Sequence, residues 1–287
     1  MPDLEQAGGK SGEQSRAGGR FFMRFTRGQR YLHAVLFTTF LGLAATGLPM
    51  RFSESIWARK FASGVGGFGA IIFFHKLFAV VLTLAFLIHV KDIFTRALVH
   101  REKGIFWGST SMVGNWKDVK DLFGHIRWFL GLGPKPQFER YAYWEKFDYW
   151  AVFWGMIVIG FSGYAMWFAP FFAHFLPGWA LNAVLVIHSE EGLLAILFIF
   201  SIHFVNTHLR PDSFPMDMVV FTGVESEEEF KHKRTQEYER LKAQGKLEAR
   251  VAEAPATWLL NFSKVVGFTA IFIGLLLLVL TLSAYFS

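Results

Sequence analysis

Five long apolar stretches, at roughly 31–50, 69–94, 147–168, 181–204 and 258–286, are set between polar connections along the 287-residue chain. At about 1.5 Å rise per residue, each is long enough as a helix to cross roughly 30 Å of hydrocarbon. Inside a bilayer every backbone amide needs an internal partner, which only helices and closed barrels supply. The pattern predicts an all-α integral membrane protein, a transmembrane helical bundle of five spans. The first stretch does not read as a cleaved leader. Its apolar run exceeds the usual length of about 7–15 residues, and no small-x-small site follows in GLPMRFSESIW.

The connections divide the chain further. Residues 1–20 are small, polar and glycine-rich, and predict a disordered tail. Within the long connection 99–145, NWKDVKDLFGHIRWFLGLGPKP reads as an amphipathic helix lying at the membrane interface and stopped by Gly and Pro. Residues 223–253 read as a charged, solvated helix or two with little apolar face. The expected units are the tail 1–20, a membrane domain 21–210, a charged segment 211–256 and a C-terminal span 257–287 packed at the periphery.

Composition agrees with lipid-facing surface: 53% of residues are hydrophobic and 18% aromatic, with 34 Phe and 10 Trp. The net charge of +6 could suggest nucleic acid, but its distribution is a topology signal. Lys10, Arg16, Arg20, Arg24, Arg27 and Arg30 precede the first span, and the connections 91–146 and 210–250 hold ten and eight more Lys and Arg. The loop after the first span has only Arg51, Arg59 and Lys60, and residues 169–182 have none. The positive-inside rule then puts the N-terminus in the cytoplasm and the C-terminus outside. There is no cysteine, which removes iron–sulfur clusters, covalently attached haem, thiolate metal sites and disulfides. A redox centre here has to be held by histidine.

Histidines do occur inside the spans. His75 and His89 are fourteen residues apart, about 21 Å along a helix and nearly on one face. His188 and His203 are fifteen apart, about 60° offset. With both spans running outside to inside, His75 matches His188 in depth and His89 matches His203. A lone histidine in a membrane helix is more often a packing residue or proton relay than a ligand. Four such costly groups at matched depths on two helices point to bis-histidine haem b in a four-helix core. His33 opens the first span at cytoplasmic depth, and His208, five residues past His203, turns toward a different face. His100, His125, His174 and His232 fall in loops or tails and receive no redox role.

The stretch RYLHAVLFTTFLGLAATGL, the His-bearing second span and the pattern HSEEGLLA…HFVNTHLRPDSFPMD resemble the b-type cytochrome subunits of membrane formate dehydrogenases, nickel–iron hydrogenases and thiosulfate reductases. The likeness covers about residues 24–210. With YWEKFDYWAVFWG it looks most like the formate dehydrogenase gamma-type branch, some members of which are associated with multihaem c cytochromes. The resemblance implies His33 with His203 for a cytoplasmic-side haem and His75 with His188 for an outer one. The chain adds His89 and His208, so the cytoplasmic site has four candidates for two axial positions, or there is a third haem.

The functional expectation is a quinone-reactive haem b subunit of a respiratory oxidoreductase in a bacterial inner membrane. Its quinone pocket is expected beside the cytoplasmic haem. Its expected partner is an outer-side redox protein, an iron–sulfur dehydrogenase subunit or a multihaem cytochrome c, in a hetero-oligomer that binds no nucleic acid. Gly42, Gly47, Gly155, Gly160, Gly163 and Gly192 lie within spans, where they admit a macrocycle or a neighbouring helix. Asp148 and Glu145 are candidate proton carriers, or interfacial partners of Arg140 or Lys146. Glu190 and Glu191 follow His188 in HSEEG. The competing expectation is a proton-coupled transporter or channel whose histidines relay protons without haem.

Overall fold

The computed structural model describes residues 19–286, so all but the last two positions of the expected disordered tail lie outside the described residues. About 73% of the described residues are helical, and among them five helices are long and apolar enough to cross a membrane. These are α1 (Arg27–Arg51), α3 (Phe68–Val99), α5 (Tyr143–Trp167), α6 (Gly178–Leu209) and α9 (Thr257–Phe286). A short α2 (Ile56–Val65) joins α1 to α3, and the expected amphipathic helix forms as α4 (Trp116–Phe129). Asn115 starts α4 by accepting from the Lys117 and Asp118 amides while Asp118 reaches back, a reciprocal cap. Gly131, at positive φ, lies just beyond its end.

The bundle has two distinct ends. At one end, the distal end, Arg51 of α1 hydrogen-bonds Ser189 and Glu190 of α6 and Tyr285 of α9, which fixes three helices there. The other end carries a small folded cap. Between the ends lies the main apolar cluster, drawn from Ala44 and Leu48 of α1, Leu193, Ile196, Phe200 and Phe204 of α6, and Ile271 and Leu277 of α9. The fifth helix is thus built into this core. Gly274 lets it approach closely, since a Cβ there would lie 2.7 Å from the Phe204 ring and 2.8 Å from that of Phe200.

The cap departs from the sequence-based expectation of a solvated charged segment. Strand β1 (Phe21–Met23) sits between β2 (Val224–Ser226) and β3 (Val251–Ala252) in an antiparallel sheet of order β2-β1-β3. Helices α7 (Glu227–Lys233) and α8 (Thr235–Ala243) cover it, and Phe22, Phe230, Tyr238, Leu241 and Leu247 form its core. The apolar positions are too sparse to give a periodic face, and the residue they close around, Phe22, lies some two hundred positions away.

Beneath this core Glu237, 1% exposed, is ringed by three guanidinium groups: Arg140 at 3.1 Å, Arg234 at 3.6 Å and Arg24 at 3.8 Å. Glu225 is paired with Arg234. Burial, then the nearby Arg24 charge, lowers the Arg234 guanidinium to about 9. Arg24 also reaches Glu145 at the start of α5 at 3.2 Å, so the cap is tied to two spans. Such a network contributes little net stability when complete, but losing one member leaves charges buried alone.

Candidate functional site

Two groups of histidines sit inside the bundle, one toward each end. At the distal end the rings of His75 (α3) and His188 (α6) face each other with centroids 6.2 Å apart and planes at 77°. The hydrogen bonds around them fix the tautomers. Thr46 Oγ1 on α1 lies 2.7 Å from the Gly42 carbonyl, to which its single proton goes, and 2.9 Å from His75 Nδ1. Thr46 therefore accepts from His75, and Nδ1 carries the hydrogen. His188 Nδ1 lies 3.0 Å from the Ile159 carbonyl, which can only accept, so it too is Nδ1–H. Ser162 Oγ stands beside it at 3.2 Å, with a bond of its own to Val158 O at 2.6 Å. Both imidazoles consequently keep a bare Nε2 lone pair, the form in which histidine binds metals.

Two of the glycines singled out in the sequence make room for these rings. A Cβ on Gly163 would lie 2.9 Å from His188 Cε1, and one on Gly47 would lie 3.3 Å from His75 Cε1. Gly42 instead admits Phe78, whose ring would stand 2.5 Å from a Cβ. Around Gly192, one turn along α6 from His188, no heavy atom lies within 4 Å of a Cβ position. Gly155 and Gly160 meet only side chains of their own helix.

The spacing of the distal rings is suited to a metal. Two metal–imidazole bonds of about 2 Å, plus the ring radius on each side, put centroids about 6 Å apart. Among the described residues no group of three or more His, Cys, Asp or Glu could hold a metal ion. Two facing imidazoles therefore suit a metal that arrives with its remaining ligands, as haem iron does. The residues present fit that group: two imidazoles with ring centroids at a suitable separation, two Nδ1–H groups pinned, and small residues beside both rings.

Toward the cap end the arrangement is different. His203 Nδ1 lies 2.9 Å from Asp148 Oδ2 of α5, so a carboxylate orients this ring and again leaves Nε2 free. His208 does not turn away as an α-helix would require, where five residues amount to about 140°. The last turns of α6 are π-helical over Ile199–His203 and Val205–Leu209, and the wider turn stacks residues five apart. The rings of His203 and His208 are 6.4 Å apart and perpendicular. His33 of α1 packs on Phe37, which in turn meets Phe221 just before β2 of the cap. Two buried polar atoms here, Asp148 Oδ1 and His208 Nδ1, have no partner.

His89 stands apart from this cluster. Its Nε2 is engaged by the Tyr149 hydroxyl at 3.0 Å, and its ring packs against Tyr149 and Phe153. Of the acids named from sequence, Asp148 faces His203, whereas Glu145 caps the start of α5 through the Ala142 amide at 2.7 Å. Glu190 pairs with Arg51 at 2.9 Å, and Glu191 accepts from the Trp154 indole at 3.2 Å. Lys146 is taken up by Asp118 at 2.8 Å.

His125, in α4, is 4% exposed inside a cage of aromatic rings and bonds Tyr143 at 3.2 Å, a packing role. Sequence reasoning did not single out Thr46, Ser162 or Tyr149. A hydroxyl residue or carbonyl opposite a histidine on another helix leaves no local signal. No family model matches the chain, and no curated protein matches it.

Proposed function

We propose that the chain is a quinone-reactive haem b subunit of a respiratory oxidoreductase, moving electrons between a quinone pool and a redox partner across a bacterial inner membrane. The observation that carries the reading is the distal pair: His75 and His188, 6.2 Å apart, each held as the Nδ1–H tautomer with Nε2 free. Haem bound there would supply reversible one-electron storage in a lipid-embedded, cysteine-free chain.

The residues of the chain have distinct roles in this reading. Thr46 and the Ile159 carbonyl hold the distal rings in the binding tautomer, and Gly47 and Gly163 give them space. His203, oriented by Asp148, would hold the group toward the cap end. His33 would be its second histidine, because it comes from a different helix. His208 is a poor second ligand to His203: the line joining two rings on one helix runs along its axis, so a flat macrocycle between them would run into the helix itself. The basic residues gather at the cap end, which supports a cytoplasmic position for it, and quinol protons would leave on that side. At the distal end Phe168, Phe171, Phe175 and Trp179 are exposed and offer an apolar surface to an outer-side partner. That partner is an iron–sulfur subunit or a multihaem cytochrome c.

A reduced pyridine haemochrome assay on the purified full chain tests the reading. Two haems b per chain are expected. A colourless protein would overturn it and leave the histidines as a proton relay.

A further inference from the structure

Asp148 is the one charged group hydrogen-bonded to an intramembrane histidine among the described residues, and it sits at one end of the bundle only. His203 Nδ1 meets its Oδ2 at 2.9 Å, with Asp148 itself largely withdrawn from solvent at 13% side-chain exposure. At the distal end the corresponding Nδ1 atoms meet a hydroxyl and a backbone carbonyl, which are neutral. An imidazole that donates to a carboxylate is a more basic, more electron-rich ligand than one that donates to a neutral oxygen. It stabilises the oxidised metal and lowers the reduction potential of the group it holds.

We infer that Asp148 is a positioning residue that sets the midpoint potential of the cap-end haem below that of the distal haem. The inference rests on the bis-histidine reading above. Neither His33 nor His208 has a hydrogen-bonded acid among the described residues, and Asp217, the carboxylate nearest in influence to His208, is itself taken up by Lys233 at 3.2 Å. The resulting order of potentials favours electron movement from the cap end toward the distal end. The chain would then draw electrons from quinol, which gives two electrons and two protons per quinone formed, and deliver them to an oxidised outer-side partner. The unpartnered second oxygen of Asp148 is what a carboxylate used as a ligand-orienting acceptor retains when only one lone pair is committed.

The experiment is a mediator-coupled redox titration of the full chain in detergent, read at the haem α band, after haem content has been counted. No haem in the wild type defeats the underlying reading. Two haems and two resolved waves allow the inference to be tested. His188→Ala, which removes the distal site, is expected to leave the lower wave; survival of the upper wave overturns the assignment. Asp148→Asn is expected to raise the lower wave and leave the upper one in place, and an unmoved lower wave with both haems bound overturns the inference. Should Asp148→Asn lose the cap-end haem, Asp148→Glu decides. Retention of a low wave supports tuning by the carboxylate, whereas an upward shift, or loss of that haem again, makes the residue merely structural.

Discussion

The two histidine sites of this molecule are built from the same residue type and share α6, yet they are held in opposite ways. The distal pair is symmetric: one imidazole from α3, one from α6, each pinned through Nδ1 by a neutral oxygen and each lying against a glycine. The cap-end site is asymmetric. Its central histidine is held by a carboxylate, its neighbours His33 and His208 have no hydrogen bond that fixes them, and the helix itself changes pitch there. A neutral frame positions a ligand, whereas a carboxylate also alters its electron density. On the reading proposed above, the distal site would be organised around geometry and the cap-end site around tuning.

Substitutions can break that comparison directly. The largest effect is expected from removing an axial nitrogen: His188→Ala or His75→Ala should halve the haem content and spare the cap-end group, and His203→Ala should do the reverse. Equal loss of both from any one variant would show that the sites are not independent. Next in size is the contrast between His33→Ala and His208→Ala. The first is expected to cost the cap-end haem, the second to leave two haems per chain, and the opposite result would exchange their roles.

A graded effect is expected from the glycines. Gly163→Ala places a methyl 2.9 Å from a ring that Ile159 holds in place, so distal haem occupancy should fall clearly by haemochrome assay. Gly47→Ala, at 3.3 Å, should do so only slightly. The smallest effect belongs to Thr46→Val, which removes one hydrogen bond worth about 1 kcal/mol and leaves a buried Nδ1–H unpaired. A thermal melt of the haem bands should show a modest loss, with the two-haem stoichiometry kept.

Away from the histidines, the cap offers its own test. Glu237→Ala leaves Arg24, Arg140 and Arg234 facing one another and is expected to cost about 3–5 kcal/mol. Limited proteolysis should then cut within 224–252 while the five long helices survive. Survival of the cap would mean that its apolar core around Phe22 suffices without the ion network.

All five long helices were legible in the sequence, with ends within a few residues of those observed, because hydropathy is a sum over local residues and needs no partner. The depth relation between His75 and His188 was legible for the same reason: rise per residue and span direction fix it. The cap was not. Phe22 meets Phe230 and Tyr238 across two hundred residues, and the charges of 223–253 concealed a network that only pairing reveals. Nor was the approach of His208 to His203, since it depends on a π-helical pitch that no residue type announces. Sequence by itself determined how many helices are apolar enough to span a membrane, which end is basic, and which polar side chains are carried into the apolar interior. Only the tertiary structure decided what stands opposite each imidazole, and hence which nitrogen is free. Tautomer and orientation are set by a donor or acceptor on another helix, a relation fixed by packing rather than by order along the chain.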